Sequence, residues 1–228
     1  MDDAVFRSRC DIVGGMINRR KWSSAVYEAR ALVRDAPERA ESFNKLNLAS
    51  CLANPGAAME HSPRLIDQAR ECEDVTDKLI GDMMRDRVIA LIRMHTVDSL
   101  ATAGDVIEDV KRLHANDESR LACIIGVEAR LLFACGEYRR AAEAHTEADK
   151  IWRSIGNGAD QQWMYNNYTH WLRSVIAVGY IRNMRMITQL VGLINTRCPE
   201  GAKKRTDEAA VMLLPFVGLR LYDWRARR

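Results

Sequence analysis

The sequence predicts an all-α fold, and three observations support that prediction. Only five prolines and thirteen glycines interrupt 228 residues, so long helices can form with few breaks. Apolar residues recur at intervals of three and four, and no segment shows the alternation of a half-buried strand. Turn signals leave room for about eleven helices of roughly 13 to 20 residues each.

Short turns separate these helices, which favours antiparallel packing of neighbours. Turns are predicted at Arg20-Lys21, Ala36-Pro37, Asn54-Pro55-Gly56, Ser62-Pro63, Ile80-Gly81, Ala115-Asn116-Asp117, Cys135-Gly136, Gly156-Asn157-Gly158, Gly179 and Cys198-Pro199-Glu200-Gly201. The turns divide one domain, residues 1–228, into helix pairs at about 2–36, 38–79, 82–114, 117–154 and 159–197, followed by one helix at 206–227.

The second helix of several pairs carries a repeated pattern: a large residue, then small or apolar residues 3, 7 and 10 positions later. The pattern is Trp22, Ala25, Ala29, Leu32; then Leu100, Ala103, Ile107, Val110; then Tyr138, Ala141, His145, Ala148. Ile66 and Ala69 continue it in the second pair, after an insertion at NPGAAMEHS. Residues at this spacing share one helix face. Because one helix pair cannot bury such a stripe alone, the pattern predicts pairs stacked side by side.

These segments resemble the tetratricopeptide repeat. The best matches are Gly136-Glu137-Tyr138…Ala141…Ala148 and Trp22…Ala25…Leu32…Pro37. The resemblance implies a divergent TPR-like α-solenoid of about five antiparallel helix pairs, in which the helix at 206–227 caps the last apolar face. The repeats exceed the family's usual length of about 34 residues, and Glu128 departs from its first-helix pattern. A generic α-solenoid or an irregular helical bundle is the alternative.

The candidate binding surface centres on the stretch ADQQWMYNNYTHWLRS, residues 159–174. In TPR proteins one stripe of each first helix lines the concave surface. The resemblance therefore implies a groove lined by Arg7, Asn44, Arg85, His95, Arg130, Phe133, Trp163, Asn166, His170 and Arg173. The alternative is that Trp163 and Trp171 only pack in the core.

The chemistry of this residue set predicts a non-enzymatic scaffold or regulator that captures a peptide or a partner helix. Asn side chains can bond both N–H and C=O of a peptide backbone, and Arg binds carboxylates bidentately. Aromatic rings add anchoring area. The expected partner is thus a protein or peptide, acidic or with a free C-terminus. Exposed end faces of such an array can also pair with a second copy, which makes a homo-oligomer a further expectation.

Two other function classes stay open. The chain from residue 171 carries a net charge of +7, against −4 for the first 170 residues. This basic end could contact nucleic-acid phosphates through Lys203, Lys204, Arg205, Arg225, Arg227 and Arg228. Paired carboxylates could instead hold Mg²⁺ in an all-α phosphohydrolase. They are Glu71 with Asp74, Asp82 with Asp86, and Asp105 with Glu108.

We expect no catalytic residue, cofactor or resident metal. The glycine pairs in IVGG and IGNG lack the lysine of a phosphate loop, and the six cysteines show no zinc-ligand spacing. The composition, 47% hydrophobic and 29% charged, suits a folded protein. An acidic N-terminus and the lack of a long apolar run predict a cytoplasmic protein with reduced, mostly buried thiols and no membrane association.

Overall fold

A computed structural model describes residues 1–156, 159–179 and 182–197. This part of the chain folds into eleven helices and contains no strand, which confirms the predicted all-α class. The helices are α1 (Asp3–Asn18), α2 (Trp22–Asp35), α3 (Ala40–Ala53), α4 (Ala57–Glu60), α5 (Ser62–Arg70), α6 (Asp77–Met94), α7 (Val97–Leu113), α8 (Glu118–Ala134), α9 (Tyr138–Ile155), α10 (Gln161–Gly179) and α11 (Met184–Arg197).

Side-chain oxygens fix where the first helix of each pair begins. Those of Asp2, Thr76, Asp117 and Asp160 accept hydrogen bonds from backbone amides two or three positions later, at 2.7 to 3.2 Å. They satisfy amides that have no partner inside the helix. The amide of Ala40, at the start of α3, is instead satisfied by the distant Asp74 carboxylate at 2.8 Å. Between α8 and α9 the chain turns at Gly136, whose φ of +82° favours glycine.

The helices pack as consecutive pairs, with one layer more closely joined than the other. Each first helix contacts the next first helix along the series α1, α3, α6, α8 and α10. Within the described residues, the second helices α2, α5, α7, α9 and α11 make no contacts of similar extent with one another. This helix-pair packing is compatible with a helical repeat, and it places α6, α8 and α10 side by side.

The repeated pattern of small and apolar residues lies in the core, as predicted. All nine residues at its offsets of 3, 7 and 10 in α2, α7 and α9 are at most 2% exposed. Ile66 and Ala69 of α5 are buried as well. The large residues at the head of the pattern are less buried, and Tyr138 is 39% exposed. The small and apolar residues at offsets 3, 7 and 10 are therefore more deeply buried between the helices than the large residue that begins the pattern.

The predicted turn at Ile80-Gly81 is wrong. Both residues lie inside α6, so this helix begins at Asp77 rather than at residue 82. A Cβ atom at Gly81 would lie 2.4 Å from Cε1 of the buried His114 ring. The glycine is thus explained by close approach of the His114 ring to the α6 backbone, since any larger residue would collide with it.

Two further expectations concern segments between or after the repeats. The insertion NPGAAMEHS contains the short extra helix α4. The predicted helix at 206–227 and the basic residues Lys203, Lys204, Arg205, Arg225, Arg227 and Arg228 lie outside the described residues. Among the helices that the structure describes, none has the length and apolar character needed to cross a membrane. Cys10, Cys51, Cys72 and Cys123 are buried free thiols, as predicted, whereas Cys135 is exposed.

Candidate functional site

A narrow recess opens between α8 and α10, with α9 behind it, and we call it the α8–α10 recess. Its lining includes four residues of the predicted groove: Arg130, Trp163, Asn166 and His170. The other lining residues are Ala122, Cys123, Gly126, Val127, Trp152 and Asn167. The free volume of about 10 Å³ leaves room for one group of the size of a water molecule. The recess can therefore admit the tip of a ligand but not a whole metabolite.

Three of the recess-lining residues of α10 share one stripe with Arg173. Trp163, Asn166, His170 and Arg173 follow one another at steps of three, four and three, which places them on the same side of the helix. The remaining aromatic residues of this helix are buried in the core: Tyr165, Tyr168 and Trp171 are each at most 7% exposed. The stretch that carries the candidate surface is thus divided between core packing and recess.

Asn167 holds the floor of the recess in place. His145 Nδ1 lies 2.6 Å from Asn167 Oδ1, and Asn167 Nδ2 donates to the carbonyl oxygen of His145 at 3.2 Å. Because the amide oxygen can only accept, the proton of the neutral His145 ring lies on Nδ1. A Cβ atom at Gly126 would lie 3.1 Å from Asn167 Oδ1, so a larger residue would crowd the Asn167 side chain where α10 packs on α8.

Two stacked histidines lie against this floor. The rings of His145 and His170 are 6.5 Å apart and nearly parallel. Burial lowers the pKa of His145 to about 4. Burial also lowers the pKa of His170 well below its ordinary value, and the charges of Arg130 and Arg173 lower it further. Both rings are therefore neutral at pH 7, so they add no positive charge to the recess.

The positive charge comes from three arginines on the three adjacent first helices: Arg93 of α6, Arg130 of α8 and Arg173 of α10, which we call the arginine cluster. Burial, and then the charges of Arg173 and Arg93, lower the pKa of Arg130 to about 10. Burial alone lowers the pKa of Arg173. Within the described part of the chain, none of the three has a carboxylate or hydrogen-bond partner. The cluster is thus positively charged at neutral pH without an anion of its own.

One buried donor at the recess also lacks an acceptor. Trp152 is 1% exposed and lines the recess, and its Nε1 has no hydrogen-bond partner within the described residues. A buried polar group without a partner costs about 1–3 kcal/mol. Burial raises the pKa of the neighbouring Cys123 thiol to about 12, so this cysteine is protonated and unreactive at neutral pH. The recess therefore offers donors and positive charge but no nucleophile.

Arg85 belongs to a different set of contacts, which we call the Asp82 network. Its guanidinium bonds Asp82 at 2.6 Å and Asp86 at 3.0 Å, while Arg120 bonds Asp82 at 3.1 Å. The Arg85 guanidinium also lies over the Trp163 ring, 5.0 Å from its centre. Arg85 is therefore held by its own acids and contacts the recess only through its cation–π interaction with Trp163.

The other predicted groove residues lie away from the recess. Arg7 is exposed on α1, and Asn44 on α3 donates to Glu41 at 3.1 Å. His95 is the exposed left-handed residue that ends α6. Phe133 packs its ring 5.0 Å from the ring of Tyr138.

The sequence analysis missed two residues that matter here, Trp152 and Arg93. Trp152 lies 14 positions after Tyr138 on the stripe that already contains Ala141, His145 and Ala148, so extending that stripe by one turn would have found it. Arg93 follows Arg85 by eight positions, slightly more than two helical turns, near the end of α6.

The acidic pairs considered for Mg²⁺ make other contacts. Asp82 and Asp86 bond Arg85, and Asp74 accepts the Ala40 amide. Glu108 bonds Lys111 at 3.1 Å, and the remaining members, Glu71 and Asp105, are exposed. Over residues 1–156, 159–179 and 182–197, no three His, Cys, Asp or Glu side chains lie together as metal ligands would.

A scan against protein-family models found no match to this chain, and searches of the curated proteins and of the solved structures found none either. The functional interpretation therefore rests on the geometry and charge of the site itself.

Proposed function

We propose that this chain is a TPR-like α-solenoid that acts as a non-enzymatic binding scaffold, holding a peptide or a partner helix on the layer of first helices. The observation that carries the proposal is the convergence of Arg130, Trp163, Asn166 and His170 on one recess in that layer. These residues come from two helices that are adjacent in space but separated along the chain by α9.

The packing supports a curved stack. First helices contact one another in series, while the second helices make no comparable contacts within the described residues. A layer whose members touch is shorter than a layer whose members are spread apart, so the stack bends toward the first helices. The α8–α10 recess then lies on the concave side, where solenoids commonly bind their ligands.

The size of the recess favours a polymer over a small molecule. Pockets for small ligands usually enclose about 300 Å³ or more, whereas this recess has a free volume of about 10 Å³. An extended ligand can insert one group here and continue across α6, α8 and α10. The side-chain amide of Asn166, whose oxygen accepts from Gln162 at 3.1 Å, is placed beside the recess to bond its backbone.

Selection of a phage-displayed peptide library for binding to the immobilised full-length protein tests this proposal. We expect enriched peptides whose affinity falls by roughly 30-fold in Trp163→Ala, since buried aromatic anchors typically contribute about 2 kcal/mol to binding. The matched control is Tyr27→Ala, because Tyr27 is 73% exposed on the second helix α2. Equal losses in the two variants, or no enriched peptide, would contradict the proposal.

Nucleic-acid binding through the basic end and self-association both remain predictions. Nucleic-acid binding would fall steeply with salt and would be unaffected by Trp163→Ala.

A further inference from the structure

We propose that the α8–α10 recess is a carboxylate site, in which a carboxylate of the bound peptide meets the guanidinium of Arg130 with Arg173 beside it. The carboxylate belongs to an acidic side chain or to the peptide's C-terminus. The inference rests on the proposed peptide-binding function and specifies the chemistry of its central contact.

The first argument is the uncompensated charge of the arginine cluster. A buried charge is tolerated when it is paired, and an unpaired one is costly. The acids nearest in sequence to Arg130 and Arg173 are already used: Glu128 of α8 bonds Lys111 at 2.7 Å, and Asp160 caps α10. Arg130 is half-buried with no anion from the described chain, so the missing anion is expected from a ligand.

The second argument is the balance of donors and acceptors at the recess. Arg130 offers only donors, and Trp152 adds an indole N–H that has no acceptor within the described residues. Arg173 adds further donors on the same stripe of α10 as His170. The two arginines and the indole N–H need acceptor oxygens, and an ionised acid supplies acceptor oxygens together with the negative charge that the arginines lack.

The third argument distinguishes a carboxylate from a phosphate. Room for one water-sized group admits one oxygen atom while the second carboxylate oxygen stays at the mouth. A planar carboxylate can then be held bidentately by one guanidinium. A tetrahedral phosphate that inserted one oxygen would leave its other oxygens at the mouth, where a carboxylate leaves only one.

Acetate is the simplest probe of this site. In the full chain, at matched ionic strength, we expect acetate to raise the melting temperature and change tryptophan fluorescence relative to chloride, with inorganic phosphate less effective. Arg130→Met should weaken acetate binding by roughly tenfold or more. Arg64→Met is the matched control, because Arg64 is exposed on α5 and lies outside the recess. If acetate has no more effect than chloride, or Arg130→Met binds it normally, the inference is wrong.

Two further variants keep the test decisive if Arg130→Met folds poorly. Arg130→Lys keeps the charge but loses the fork, so acetate binding should weaken while the fold is retained. Arg173→Met removes the second arginine and should also weaken acetate binding. Unchanged acetate binding in both would overturn the site.

Peptides separate this inference from the proposed function. The probes are a selected peptide in three forms: with a free C-terminus, with an amide C-terminus, and amide-capped with its acidic side chains changed to amides. We expect the loss of one carboxylate to reduce affinity by roughly tenfold in the natural chain but not in Arg130→Met. Equal binding of all three forms would leave peptide binding intact and refute the carboxylate site.

Failure to select any peptide, with acetate still bound through Arg130, would refute the proposed function and leave an anion site. Tight binding of oligothymidine that depends on Arg130 would contradict both, because the ligand would then be a nucleic-acid phosphate.

Discussion

Two groups of arginines, each with one member on α6, differ in how their charge is balanced. In the Asp82 network, Arg85 is enclosed by Asp82 and Asp86 at 2.6 and 3.0 Å. In the arginine cluster, Arg130 faces Arg173 and Arg93, with no acid from the described chain. The same side chain is thus part of a closed ion-pair network in one region and lacks an acid from the described chain in the other.

Burial lowers the pKa of both arginines, but their neighbours shift it in opposite directions. Burial lowers the pKa of Arg85, but the charges of Asp86 and Asp82 outweigh it and raise the pKa. For Arg130, burial and the neighbouring arginines act in the same direction and lower the pKa. The comparison shows that the number of arginines does not identify a binding surface. The two regions differ in that Arg130 is a half-buried arginine without an acid from the described chain.

The same substitution in the two regions should therefore have different consequences. We expect Arg85→Met to lower the free energy of unfolding by about 4 kcal/mol, because it leaves the buried Asp86 without its hydrogen-bonding partner. Urea denaturation followed by circular dichroism measures this loss. Adding Asp86→Leu should recover most of the stability, since the pair is then replaced rather than broken. If Arg85→Met alone were as stable as the natural chain, the Asp82 network would not contribute to the stability of the fold.

Acid should destabilise the floor of the recess. The pKa of His145 is about 4 in the folded protein, against an ordinary value of 6.5. As the pH falls below about 6.5, His145 is protonated in the unfolded chain but stays neutral in the folded chain. The free energy of unfolding therefore declines until about pH 4, where the folded chain is protonated as well, and then levels off. We expect this one histidine to account for about 3 kcal/mol of the decline.

Carboxylates also titrate in this range, so the contribution of His145 must be isolated by difference. His145→Gln should show a smaller fall in unfolding free energy between pH 6.5 and 4 than the natural chain. His61→Gln, at an exposed residue beside α5, should keep the full fall. Parallel pH profiles for all three proteins would refute the assignment.

The contrast between these regions also explains how far the sequence could predict the site. The stripe Trp163, Asn166, His170 and Arg173 depends on spacing within one helix, and local periodicity was enough to recognise it. The burial of Ala103 and its equivalents followed from the same periodicity.

Contacts between side chains of different helices could not be predicted from the sequence. Gly81 has a turn-like sequence context, yet its role is to accommodate the ring of His114, which comes from the end of α7. Charge balance was only partly visible: Asp82 and Asp86 lie three positions before and one position after Arg85 in α6, but the contact of Arg120 from α8 with Asp82 appears only in the packed structure. The lack of an acid near Arg130 likewise depends on residues from α6 and α10, which the periodicity of α8 does not encode.

Arg130→Met should have a smaller effect than Arg85→Met, and of opposite sign. It removes an uncompensated, half-buried charge while keeping most of the side-chain volume. We therefore expect the free energy of unfolding to stay the same or rise by about 1 kcal/mol. The measurement is the same urea titration, in chloride buffer without carboxylates. A loss comparable to that of Arg85→Met would mean that Arg130 stabilises the fold, and the distinction between the two regions would disappear.

The smallest expected effect is a shift in the pKa of His170, which lies beside the arginine cluster. Burial lowers the pKa of His170, and the charges of Arg130 and Arg173 lower it further. Arg130→Met should therefore raise this pKa, as measured by an NMR titration of the imidazole signals, assigned with His170→Gln. Arg64→Met should leave it unchanged, because Arg64 is not among the groups that act on His170.

Adding acetate to the natural chain should also raise the pKa of His170, since a carboxylate placed in the recess cancels the positive charge beside the ring. The substitution and the ligand should shift the same signal in the same direction, because each reduces the same local potential. In Arg130→Met, acetate should then have little further effect. If acetate shifts His170 equally in both proteins, the anion is bound elsewhere, and the arginine cluster is left without the ligand that its charge requires.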